Sequence, residues 1–257
     1  MELRVLAIGD VVGESGLQHL QRHLSALKRT KGIHLTVVNG ENAAGVGLTR
    51  RQAEDLFRCG ADVITLGNHT WGKAQIAEYL EQEAYLLRPA NYTGHAPGHG
   101  SVVCEVQGVR VQVVNLIGRC DLDFHADNPF FTVDKLLKER RADCTVVDFH
   151  AEATSEKLAM AYYLDGRVSA LWGTHTHVPT ADTQIFPKGM GYQTDLGMTG
   201  PARSVLGIRP EQSIETFLGG LAGRYQTAEG ACKLQGAIFT IDSRSGCCTA
   251  AERIEVE

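Results

Sequence analysis

Two imidazoles, His175 and His177, stand two residues apart in GTHTHVPT, directly after the apolar run RVSALW. In a chain with 10 histidines, one H-x-H pair carries little weight by itself. The same arrangement recurs after four other apolar runs. Asp10 follows VLAIG, Glu41 and Asn42 follow LTVVNG, Asn68 and His69 follow DVITLG, and His150 follows CTVVDF. Every one of these side chains can ligate a metal or move a proton. In parallel sheets, functional side chains gather beyond the carboxyl ends of the strands, where the connecting loops converge. Five run ends bearing such residues predict one shared centre.

Two carboxylates (Asp10, Glu41), two carboxamides (Asn42, Asn68) and three imidazoles (His150, His175, His177) are more than one tetrahedral zinc takes. They suit two ions of five- or six-fold coordination. Ligation rich in nitrogen favours iron, manganese, zinc or cobalt over magnesium and calcium. Two divalent ions bring more positive charge than two carboxylates and a hydroxide cancel, and the excess invites a phosphate. Ions about 3.5–4 Å apart can activate a bridging hydroxide and neutralise the phosphoryl oxygens of an in-line displacement. Glu41, beside Asn42, is the natural bridging carboxylate. His69, next to Asn68, could stabilise the phosphoryl group and protonate the leaving alkoxide as a general acid. Its other reading is a group that orients a ligand.

The elements that must hold these residues alternate. LRVLAI, IHLTVV and ADVITL read as buried strands. Between them lie amphipathic helices: one in SGLQHLQRHLSALKRTKG, with Ser15 as expected N-cap and Gly32 as stop, and one in TRRQAEDLFRCG, from Thr49 to Gly60. A third helix is expected around KAQIAEYLEQ. SVVCEVQGVRVQVVNLIG reads as an antiparallel hairpin turning at QGVR. NPFFTVDKLLKERR and TSEKLAMAYYLDG read as helices around the strand DCTVVDF, with RVSALW as the next strand. ADTQIF, GMGYQTD, CKLQGAIFTID and CTAAERIEV return to β, broken by a helix near PEQSIETFLGG. Two mixed sheets packed face to face, with helices outside, accommodate so many strands. Without a Pro-, Gly- or Ser-rich linker, residues 1–257 read as one α/β domain.

A net charge of -5 argues against an electrostatic grip on long nucleic acid, while a local cation could still collect a small anion. The seven cysteines are scattered, with no C-x-x-C spacing, as expected of reduced thiols in a cytoplasmic chain. MELRVLAIGD enters a strand directly, with no pattern of export, and no membrane span is expected. A homo-oligomer remains open.

Asp10 in GD, Glu41 in GEN, Asn68 in GNH, the single His150, and His177 in GTHTH resemble the motifs of calcineurin-like dinuclear metallophosphoesterases. IGDVVG, Gly45 after NGENAA, LGNHTW, RPANY, VDFHAEATSEK, GTHTHVPTAD and TDLGMTGP resemble the YmdB-like bacterial branch, across nearly the whole chain. The resemblance implies a four-layer α/β/β/α sandwich. It also implies hydrolysis of cyclic nucleotides, notably 2',3'-cyclic AMP, with iron or manganese in the site and zinc as a further candidate. One ion would take Asp10, Glu41, Asn42 and His177; the other would take Glu41, Asn68, His150 and His175; His69 would be the general acid. Most of the superfamily has D-x-H after its first strand. Here Val11 and Val12 follow Asp10, and the branch implies Asn42 in place of that histidine.

Three functions fit these readings. The first is a phosphodiesterase in which a metal-bridging hydroxide attacks a 2',3'-cyclic nucleotide. The others are a general phosphomonoesterase or nucleotidase, and a regulatory protein that binds a cyclic nucleotide or RNA end. Among the remaining motifs, NAAGVGLT reads as a turn before a helix, since it lacks the lysine of a P-loop. Glu152 reads equally as a partner of the site or as a solvent-facing residue. TDLGMTGP reads as a loop, either a turn or a border of the substrate pocket. Trp71 could stack a base at the site mouth, and His95 and His99 read as exposed.

Overall fold

The computed structural model describes residues 1–122, 126–139 and 142–257. The chain begins β1 (Glu2–Ile8), β2 (Asp10–Val11), α1 (Gly13–Lys31), β3 (Leu35–Asn39), α2 (Arg50–Cys59) and β4 (Val63–Thr65). A 3-10 turn (Thr70–Gly72), α3 (Ile76–Gln82) and β5 (Leu86–Leu87) close this part. Next come β6 (Ser101–Val106), β7 (Val109–Ile117), α4 (Pro129–Glu139), β8 (Cys144–His150), α5 (Thr154–Leu164) and β9 (Ala170–Thr174). The chain ends with β10 (Gln184–Ile185), β11 (Gly191–Gln193), β12 (Met198–Pro201), α6 (Pro210–Phe217), β13 (Cys232–Asp242) and β14 (Cys248–Val256). Arg140 and Arg141, expected at the end of a helix, lie outside the described residues.

One sheet runs β2-β12-β13-β1-β3-β4-β5, with β14 on β13; the other runs β10-β11-β9-β8-β7-β6. Parallel pairing joins β1, β3, β4 and β5 in the first sheet and β11, β9, β8 and β7 in the second. Antiparallel pairs complete the second sheet and, with the short parallel pair β2–β12, the first, so both are mixed, as expected. The hairpin β6–β7 turns at Gln107 and Gly108, both at positive φ (55° and 77°), as a two-residue connection of this hand requires.

Side-chain alternation along each strand divides the core into layers. In β1, Leu6 and Ile8 meet Leu17, Leu20 and Leu24 of α1 and Leu56 of α2. Leu3, Val5 and Ala7 point the other way, into the space between the sheets, with Val111, Val113, Val146 and Trp172. Val147, Phe149 and Leu171 face Val133 of α4 and Met160 and Leu164 of α5. The order helix, sheet, sheet, helix is the expected four-layer α/β/β/α sandwich. Trp172 and Phe239 stack across the middle with centroids 5.7 Å apart and planes 16° apart.

The space between the sheets changes character along the strands. Moving two residues on from Val37, Val63, Val113, Val146 and Trp172 leads to Asn39, Thr65, Asn115, Asp148 and Thr174, all completely buried. The apolar core thus ends in a polar layer at the carboxyl ends of both sets of parallel strands.

Two expectations differ in detail. Ser15 is not the cap of α1, which begins at Gly13. Its first turn is tied by backbone instead: the Gly13 N–H donates to the Asn42 carbonyl at 2.9 Å and the Val12 N–H to Thr199 at 2.9 Å. TDLGMTGP is not all loop, because it contains β12, which pairs with β2 at Met198 and Asp10. Gly9 allows this approach, since a Cβ there would lie 2.2 Å from the Gly197 carbonyl oxygen.

Candidate metal centre

The structure brings all eight predicted residues together. Asp10, Glu41, Asn42, Asn68 and His69 follow strands of the first sheet, while His150, His175 and His177 end or follow strands of the second. His150 is buried, and its Nε2 lies 3.1 Å from Glu41 Oε1, 2.9 Å from Asn68 Oδ1 and 3.1 Å from His175 Nδ1. On the other side, His177 Nε2 is 3.7 Å from Asp10 Oδ1 and 3.1 Å from Asn42 Nδ2. Glu41 belongs to both groups, since Asn42 Nδ2 is also 3.3 Å from its Oε1.

Each imidazole is held by its outward nitrogen. His150 Nδ1 meets Thr174 Oγ1 at 2.9 Å, His175 Nε2 meets Glu152 Oε2 at 3.0 Å, and His177 Nδ1 meets the Leu206 carbonyl at 3.0 Å. Acceptors on the outside fix the proton there and aim the opposite nitrogen inward, as metal-binding histidines require. Glu152 is thus a partner of the site. Beneath His150 lies a set that the sequence reading missed. The Thr174 hydroxyl donates to Asp148 Oδ1 at 2.8 Å, the Thr65 hydroxyl donates to Asp148 Oδ2, and Asn39 Nδ2 is 3.5 Å from Asp148 Oδ2. The visible signal was Asp148 itself, a carboxylate inside the apolar run CTVVDF and on the same strand face as His150.

These residues fit a pair of cations. His150 Nε2 faces three acceptors, and a single N–H can serve only one of them well. A cation at that position satisfies the three acceptors and the ring nitrogen together. Asp10 Oδ1 is buried with no hydrogen-bond partner, a costly state for a carboxylate that a cation relieves. Gly67 leaves the necessary room: a Cβ there would lie 2.2 Å from His150 Cδ2 and 2.4 Å from Glu41 Oε2. Asn42 differs in one respect, presenting Nδ2 to the centre while its Oδ1 meets His69 Nδ1 at 2.7 Å. To serve as a ligand, its amide must turn Oδ1 inward.

Charge among these residues follows the same logic. Burial raises Asp10 above the ordinary carboxylate value, against the pull of His177 and His150. Burial would also raise Glu41, but the His150 charge and hydrogen bond, helped by His69, outweigh it and hold Glu41 at about 2. Burial opposes a charge on His150, yet Glu41, Asp10 and Asp148 raise it to about 9. His175 is pushed down to about 3, first by burial and then by the His150 charge.

His69 is half-exposed, and its backbone lies at φ -90° and ψ 9°, a sparsely populated region common at active sites. Its N–H donates to Glu41 Oε2 at 3.1 Å, and its ring lines a cavity of about 720 Å³ beside the centre. Val46, Leu206 and Tyr225 supply apolar wall, and Lys73 and Arg224 supply positive charge. Gly45 also lines it, so NAAGVGLT is a turn that shapes the cavity. Trp71 does not line it and packs against Tyr92 instead, with centroids 6.1 Å apart. The aromatic residue in the cavity is Tyr225, outside every motif read from the sequence. His95 and His99 are exposed, as expected.

The chain is similar to several known proteins. The model of the family described as YmdB-like protein matches residues 6–254. A Bacillus subtilis (strain 168) protein named 2',3'-cyclic-nucleotide 2'-phosphodiesterase is 45% identical over 98% of this chain and 96% of its own length. A solved structure of a hypothetical protein from Thermus thermophilus is 40% identical, with a TM-score of 0.92 and 99% of each chain covered. A structure titled as a novel phosphatase from Mycoplasma pneumoniae is 37% identical, with a TM-score of 0.93 over 100% of this chain and 94% of that one.

Proposed function

Because this chain belongs to the YmdB-like family of metal-dependent phosphoesterases, we propose that it is a phosphodiesterase that opens the 2',3'-cyclic phosphate of a nucleotide, most readily 2',3'-cyclic AMP. Attack by water forms a P–O bond, the bond from phosphorus to the ribose 2' oxygen breaks, and a proton passes to that oxygen. The product is a nucleoside 3'-phosphate. The 2' position is supported by the name of the Bacillus subtilis relative.

Two divalent ions, iron or manganese before zinc, would supply charge neutralisation at the phosphoryl oxygens and activation of the attacking water when bound. Asp10, Glu41, Asn42 and His177 would hold one, and Glu41, Asn68, His150 and His175 the other. Protonated His69, whose ring lines the cavity, would give an N–H to the leaving oxygen. Leu206, Val46 and Tyr225 offer the nucleoside an apolar surface that limits water. Residues 1–257 act as one domain, supported by the apolar layer shared by both sheets. A reducing, cytoplasmic setting is supported by seven free thiols. Among the described residues no helix is long and apolar enough to cross a membrane.

The observation that carries this reading is the convergence of His150 Nε2, His175 Nδ1, Glu41 Oε1 and Asn68 Oδ1 on one point at the floor of a cavity. The test is turnover of 2',3'-cyclic AMP by metal-stripped protein reloaded with manganese or iron, with the product identified by phosphorus NMR. Metal-dependent formation of 3'-AMP is expected. No turnover with two ions bound per chain, or faster turnover of nucleoside monophosphates, overturns the diesterase reading.

A further inference from the structure

Lys157 and Asp195 form an ion pair outside the metal centre, with each side chain 1% exposed and Nζ 2.8 Å from Oδ2. Removing two charges from water is expensive, and well-packed apolar residues often match or exceed such a pair in stability. Its position suggests a different use. Asp195 Oδ2 also accepts the N–H of Thr176 at 3.1 Å, and Thr176 is the residue between His175 and His177. Both histidines have left-handed backbone, at φ 109° and 63°, which residues with a Cβ adopt only when the surroundings enforce it.

The segment at Asp195 holds the H-x-H loop at three levels. Before the loop, the Leu196 N–H donates to the Gly173 carbonyl at 2.9 Å. In the middle is the Thr176 bond to the carboxylate. After it, the Thr180 N–H donates to the Asp195 carbonyl at 3.0 Å, and Thr180 Oγ1 accepts the Asp195 N–H at 2.9 Å. Lys157 comes from α5, which begins four residues after His150, and its stem lies against Gly173, where a Cβ would be 2.9 Å from its Cδ and Cε. The pair therefore ties the helix that follows one candidate ligand to the loop that carries two others.

We propose that the Lys157–Asp195 pair is a positioning device that holds the 175–177 loop in its left-handed conformation, so that both imidazoles point at the metal centre. The inference rests on the metal-centre reading but not on the substrate. It is tested by titrating metal-free protein with manganese, recording the visible spectrum of the cobalt-loaded form, and measuring thermal stability without metal. The variants are Asp195→Asn, Lys157→Met and the charge-free pair Lys157→Met with Asp195→Leu.

Each single variant leaves a buried polar group short of its partner and is expected to unfold at lower temperature. The double variant is expected to regain the unfolding temperature, yet to bind manganese about tenfold more weakly or worse, with an altered cobalt spectrum. A purely structural pair would show metal binding restored along with stability. Wild-type affinity and spectrum in any folded variant overturn the positioning role alone. Wild-type protein that takes up no metal overturns the centre as well.

Discussion

The hydroxyl of Thr174 lies 2.9 Å from Nδ1 of His150, its partner across two parallel strands. That hydroxyl already donates to Asp148, so it accepts from the ring and fixes which nitrogen faces the centre. Thr174→Val keeps the shape and removes the acceptor. Metal affinity is expected to fall about 10–100-fold, and stability by roughly 1–3 kcal/mol because Asp148 loses a donor. Metal titration beside thermal unfolding checks both. Unchanged affinity would mean that the ring is oriented by its other contacts.

His69→Ala separates proton transfer from phosphate binding. Turnover of 2',3'-cyclic AMP is expected to drop about 10²–10⁴-fold, the usual contribution of a general acid, with two metal ions still bound. Bis(p-nitrophenyl) phosphate, whose leaving group needs no proton, should be affected far less. Equal losses on both substrates would reassign His69 to stabilising the phosphoryl group.

Gly67→Ala tests the space left for the centre. The added methyl meets the His150 ring and the Glu41 carboxylate, neither of which is free to retreat into solvent. Metal binding should be lost, with destabilisation of roughly 1–3 kcal/mol from overpacking. A variant that still binds two ions would place them elsewhere.

Burial raises the thiols of Cys104 and Cys248 to about 11. A raised pKa means less thiolate at every lower pH, so near neutral pH these thiols are slower nucleophiles as well as less accessible. Ellman's reagent should label exposed Cys120 in the native protein, and Cys104, Cys144 and Cys248 only after unfolding. Glu156 raises Cys120 too, so its labelling should quicken as the pH rises. Rapid native labelling of the three buried thiols would contradict the packing of this core.

The candidate ligands were legible because a βα turn is a local event: an apolar run, a glycine and a polar side chain. Thr49 was legible for the same reason, and it forms the expected capping box with Gln52 on α2. The support beneath the ligands was not. Asp148, Thr174 and Asn39 become a network only when the two sheets meet, and each alone reads as a polar interruption in a strand. Ser15 misled because its spacing fits a cap, whereas the end of α1 is satisfied by the backbone of Asn42, a residue 29 positions away from Gly13 by number. Tyr225 carried no local signal at all, since its place in the cavity wall depends on how its segment folds back over the sheet ends.

The centre draws its side chains from two sheets that meet across a shared apolar layer. The distance between Glu41 and His150 is thus also a measure of how one sheet sits upon the other. Catalytic geometry tolerates little: misplacement by about 1 Å can cost about a hundredfold in rate. The Trp172–Phe239 stack, which spans the gap, then acts as a spacer for chemistry in which neither ring takes part. A small change there, such as Phe239→Leu, would register as slower turnover while the fold stayed intact, making activity a fine gauge of alignment inside the core.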